Sequence, residues 1–113
     1  MFAELSVSLQ QFVNVLKSNG PTVLGWVAVA WLIHAVNSCC QFRLNILGIY
    51  PRRIFGLCGI VCAPFLHGSW GHLMINTIMF IVMAMMLLTQ GMSVFMAVTG
   101  CIIVISGLLV WLF

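Results

Sequence analysis

Three consecutive segments decide the fold: SWGHLMINTIMFIVMAMMLL (residues 69–88), TQG (89–91) and MSVFMAVTGCIIVISGLLVWLF (92–113), a stretch without a single Asp, Glu, Lys or Arg. The second apolar run is about 33 Å long as a helix, close to the ~30 Å hydrocarbon core of a bilayer. Lipid offers the main chain no hydrogen bonds, so such runs must be helical. Thr89-Gln90-Gly91 is too short a joint for anything but an antiparallel hairpin. On the last helix Ser93, Ala97, Gly100 and Gly107 share one stripe, which predicts close approach of a neighbouring backbone.

Composition supports the same reading outward. Hydrophobic residues make up 64% of the 113 positions and charged residues 4%, with Glu4 the only acid, which excludes a soluble domain with a solvated surface. Residues 22–38 form a further spanning candidate. Before it, Phe2, Leu5, Leu9, Phe12, Val13 and Leu16 recur at three- and four-residue intervals against Glu4, Gln10, Gln11, Asn14 and Lys17, so residues 1–20 are expected as an interfacial helix ended by Asn19-Gly20-Pro21. This segment lacks the basic start, short apolar core and small-residue cleavage site of a signal peptide. The net charge of +3 comes from scattered residues, giving no nucleic-acid patch and at most a preference for anionic lipid.

Residues 39–66 are too long for an ordinary loop and too apolar for disorder. Leu44, Ile46, Leu47, Ile49, Tyr50, Ile54, Phe55, Leu57 and Ile60 are interrupted by Gly48, Pro51, Gly56, Gly59 and Pro64. That pattern predicts short helical turns partly sunk in the bilayer. Cys39, Cys40, Cys58, Cys62 and Cys101 have no metal or redox spacing and are odd in number, so free, packed thiols are expected, with no metal and no cofactor.

The candidate site is His67-Gly-Ser-Trp-Gly-His72-Leu-Met-Ile-Asn76. His72 and Asn76 are one helical turn apart on one face, at the head of an apolar run, where polar side chains point by default to a functional interior or a wet cavity. Ser69 reads as the N-cap of the helix beginning at Trp70. Ser106 reads as a packing serine, because Val104 stands where a Gly-x-Ser-Gly turn needs glycine. His34 and Asn37 are expected to satisfy one another near the end of the first span.

The run from Gly48 through Arg53, then Gly56-Leu-Cys-Gly-Ile60, then Ala63-Pro-Phe-Leu-His67 on to Asn76-Thr77, resembles the rhomboid family of intramembrane serine proteases, its bacterial members above all; the resemblance is dense over residues 31–77. It implies an all-α membrane protein: three transmembrane helices (22–38, 69–88 and 92–113), an N-terminal interfacial helix (1–20) and a membrane-dipping loop, forming residues 1–113 of an incomplete rhomboid-like bundle. It further implies His72 and Asn76 as oxyanion-stabilising residues of the catalytic site, with His67 in support. Peptide cleavage passes through a tetrahedral oxyanion, and each donor aimed at it can lower the barrier by roughly 3 kcal/mol.

The chain departs from the family pattern in holding neither the Gly-x-Ser-Gly serine nor the later base histidine. Its end at Trp111-Leu-Phe113, inside an apolar run, is expected of a truncated product or fragment. Such a piece is expected to be inactive alone, with a non-catalytic rhomboid-like binder of transmembrane clients as the alternative. The implied partners are the lipid bilayer and a transmembrane protein substrate or client; the implied location is the bacterial inner membrane, with the amino terminus cytoplasmic. Arg43, Arg52 and Arg53 oppose that orientation by the positive-inside rule, since Lys17 alone stands on the other side.

Overall fold

The computed structural model describes all 113 residues: helix α1 Phe2–Cys39, the short helix α2 Gly59–Cys62, and the hairpin of α3 Trp70–Leu88 and α4 Met92–Leu112, with 3-10 turns at Arg43–Leu47, Ile54–Cys58 and Ala63–Phe65. The chain is almost entirely helical. The three long helices are each long and apolar enough to cross a membrane. Their outward faces carry large apolar side chains on every side, among them Leu24, Ile75, Met86 and Ile105.

The expected break at Asn19-Gly20-Pro21 is absent; α1 is one helix of 38 residues with Pro21 inside it. An interior proline costs roughly 3 kcal/mol and a glycine about 1. Packing across the joint offsets this, since Val23 is buried with Ala84, Met85, Leu88 and Phe95, and Val15, two turns earlier, packs against the same cluster. Both side chains reach it only if the helix runs through. At about 1.5 Å per residue α1 extends some 57 Å, and it sets the 55 Å long dimension of the molecule.

Residues 40–69 form the chain of short turns that the sequence predicts. Gln41 and Phe42 adopt left-handed backbone, φ 57° and 59°, and the Phe42 N–H donates to the Asn37 carbonyl at 2.8 Å, reversing the chain after α1. Asn37 then anchors the first turn: its Nδ2 donates to Asn45 Oδ1 at 2.8 Å, and its Oδ1 accepts from the Leu44 N–H at 3.0 Å. The expected His34–Asn37 pair is therefore not formed. Asn37 prefers main-chain and amide partners that no other group supplies, and both His34 nitrogens are left without a partner.

Close backbone approach shapes the rest of this segment. A Cβ at Gly59 would collide with the main chain of Gly48, and one at Gly56 with that of Tyr50. On α4 a Cβ at Gly107 would stand 2.6 Å from Ile60 Cγ2, so α2 presses into α4 at that point. The small-residue stripe is thus used only at its end: nothing lies near Gly100, and Ser93 and Ala97 are exposed. Ser106 is exposed as well, its hydroxyl turned back onto the Ile102 carbonyl, and is not a packing residue within this chain. All five cysteines are free, but four are exposed and Cys62 is half-buried, so the packed thiols that the sequence suggests are not found.

Candidate functional site

The Ser69 cap fixes the geometry of the site. Ser69 is in extended conformation, φ −153°, and its Oγ accepts the His72 N–H at 3.1 Å, satisfying one of the free donors at the start of α3. The cap starts α3 so that His72 lies in its first turn and Asn76 one turn below on the same face. Neither side chain is held by a hydrogen bond, and no bond joins the two. Both are exposed, so their N–H donors are free.

α3 is held against α1 by one half-buried polar contact and by aromatic packing. Trp31 Nε1 donates to Thr77 Oγ1 at 2.9 Å, and the Thr77 hydroxyl donates to the Leu73 carbonyl at 2.8 Å. Trp70 stands edge-on to His34, ring centroids 4.4 Å apart, and tilted against Trp31 at 5.9 Å. The Thr77 hydroxyl and two indoles thus set the rotation of α3, and with it the direction of Asn76.

Asn76 lines a cleft of about 410 Å³ between α1, α3, α4 and the turn at Ala63–Phe65; Trp26, Phe65, His67, Phe80 and Thr99 contribute to its walls. The cleft is mostly apolar, with His67, Asn76, Thr77 and Thr99 among the groups able to hydrogen-bond. His72 does not line it but adjoins it, its ring centroid 5.5 Å from that of His67. The structure therefore brings the three expected residues together: Asn76 and His67 on the cleft wall, His72 at its edge.

Sequence reasoning missed His34 as a member of this cluster. It is completely buried, its ring centroid 6.4 Å from that of His67 and 5.8 Å from that of Phe42. The signal that could have found it is its place near the end of α1, level with the start of an antiparallel α3. His67 is buried too, with Nδ1 unpartnered. Desolvation pushes its pKa below the usual 6.5, the nearby Phe65 main chain opposes this, and electrostatic repulsion from His72 and His34 adds to the lowering. The His67 imidazole is accordingly held neutral, one nitrogen a donor and the other an acceptor.

Among curated proteins, an uncharacterized protein of Mycobacterium tuberculosis and one of Mycobacterium bovis are each 38% identical to this chain over 93 residues, covering 82% of this chain and 39% of the relative. An uncharacterized protein of Mycobacterium leprae is 32% identical over 93 residues, covering 82% of this chain and 37% of its own length. The chain thus spans well under half the length of these relatives. No family model matches it, and no solved structure gives a significant match.

Proposed function

We propose that this chain is the N-terminal part of a rhomboid-type intramembrane serine endopeptidase acting on transmembrane substrates, and that His72 and Asn76 stabilise the oxyanion. The observation that carries the reading is the pair of unengaged N–H donors on one face of α3, at the wall and edge of an apolar cleft. The His-x4-His-x3-Asn spacing supports it. Attack on a peptide carbonyl moves negative charge onto its oxygen. An imidazole N–H and an amide N–H without protein partners give up no intramolecular bond when they turn to that charge. His67, neutral beside them, supports the edge of the site. Residues 1–113 contain no Gly-x-Ser-Gly, so the nucleophile and its base would come from the remainder of the longer protein that the relatives represent. The protein would sit in the bacterial inner membrane with the amino terminus cytoplasmic.

The test uses the full-length protein and a transmembrane reporter. His72→Ala and Asn76→Ala should each lower turnover by roughly 100-fold or more, with little change in stability, as expected for donors used only in the transition state. Unchanged specific activity per folded molecule in both variants would remove the oxyanion assignment. If the full-length protein retains the reporter without cutting it, the function is that of a non-catalytic binder of transmembrane clients, a reading favoured by the apolar lining of the cleft.

A further inference from the structure

We propose that Arg52 and Arg53 form a docking point for the phosphate of an anionic phospholipid, in the leaflet on the loop side of the molecule. The proposal rests on the membrane-spanning reading of α4 and is independent of the protease reading.

The arginine pair is held by a main-chain clamp. The Arg52 N–H donates to the Trp111 carbonyl at 2.8 Å, and the Trp111 indole N–H donates to the Arg53 carbonyl at 2.9 Å. Arg52 has left-handed backbone, φ 57°, a conformation costly for a long side chain and tolerated only where the surroundings enforce it. The clamp fixes this turn to the last turn of α4. It also satisfies a helix-end carbonyl through the main chain, so neither guanidinium is consumed in capping α4.

Depth follows from α4 itself. Its 21 residues extend about 31 Å, the thickness of the hydrocarbon core, so a turn clamped to Trp111 lies at headgroup level. Tyr50 and Trp111 flank it, the aromatic types that favour that level. Charge selects the ligand. Arg52 and Arg53 are exposed and engage in no ion pair; the single salt bridge of the molecule joins the amino terminus to Glu4. Glu4, the only acid, lies near the far end of α1, several Debye lengths away. Two unpaired guanidinium forks match the oxygens of a phosphodiester. A zwitterionic lipid would add a cationic group with no carboxylate to receive it, so an anionic headgroup is preferred.

The purified protein in detergent is titrated with phosphatidylglycerol or phosphatidylcholine, and bound lipid is counted by native mass spectrometry beside thermal unfolding. Phosphatidylglycerol should bind tighter, with affinity falling about fivefold in Arg52→Gln or Arg53→Gln and about 25-fold in the double variant. Each single variant keeps the main-chain clamp and carries the test if the double variant does not fold. Equal binding of phosphatidylcholine, or full binding of phosphatidylglycerol by the variants, would overturn the proposal. Displacement of phosphatidylglycerol by inorganic phosphate at matched ionic strength would show a free-phosphate site instead and would equally overturn it.

Discussion

Replacing Asn37 tests whether the loop that carries His67 is set by the end of α1. The side chain is completely buried and makes two bonds, to Asn45 Oδ1 at 2.8 Å and from the Leu44 N–H at 3.0 Å. Each bond contributes about 1 kcal/mol net, and the half-buried Leu44 N–H left without an acceptor adds about 1 kcal/mol more. Alanine recovers a few tenths through its helix propensity. Asn37→Ala should therefore destabilise by roughly 2–3 kcal/mol. Asn45→Ala removes one bond but strands the buried Asn37 Nδ2, for about 1–2 kcal/mol. The double variant should show a coupling of about 1 kcal/mol, because the shared bond can be lost only once. Reversible denaturation in mixed micelles measures all three, and amide exchange at Leu44 reports the local opening directly. A loss in Asn37→Ala of no more than about 0.5 kcal/mol, the level of an ordinary surface substitution, would refute the anchoring role.

Two further outcomes are expected. Because His67 is neutral by burial, the unfolded chain binds more protons than the folded one below the unfolded value of 6.5, so stability is full above that value and declines as pH falls from it through the lower folded value; His67→Asn should flatten this decline, and identical pH profiles of the two proteins would contradict this. Gly107→Ala places a methyl group 2.6 Å from Ile60 Cγ2 and should cost about 1–3 kcal/mol, relieved in combination with Ile60→Ala; simple addition of the two losses would disprove the contact.

The sequence made the helical hairpin legible because residues 69–113 leave no alternative to helix in lipid, and because Gly91 and Ser69 mark where the helices start. The Ser69 cap is the one side-chain contact read correctly in advance, since an N-cap depends only on local geometry. What escaped was non-local. Pro21 is a helix breaker in isolation, and only the packing of Val15 and Val23 on α3 and α4 keeps α1 continuous. Asn37 abandons His34 for partners seven and eight residues on, a choice set by the left-handed backbone at Gln41 and Phe42 that no spacing rule foretells. In the candidate site the residue types and the shared face of His72 and Asn76 were readable, whereas the buried His34 and the walls of the cleft required α1 and α4 to be in place.

The distribution of bonds between elements explains why the site lies where it does. Only 12 of 113 residues are buried, so these helices gain little from one another by apolar burial and, in lipid, must associate through packing and polar contacts. Every side-chain hydrogen bond that joins different elements falls in the half of the molecule that carries the loop: Trp31 to Thr77, Asn37 to Asn45 and Leu44, and Trp111 to Arg53. The opposite half is held by the apolar cluster of Val23, Ala84, Met85, Leu88 and Phe95. His72 lies in the first turn of α3 and Asn76 in the next, both in the half fixed by directional bonds. Below Asn76 the walls of the cleft are mostly apolar side chains, Thr99 apart, and these adapt to a guest far more readily than a hydrogen-bonded frame does. A hydrogen-bonded frame above an adaptable apolar cleft suits the proposed role, in which an incoming transmembrane segment would be cut or held there.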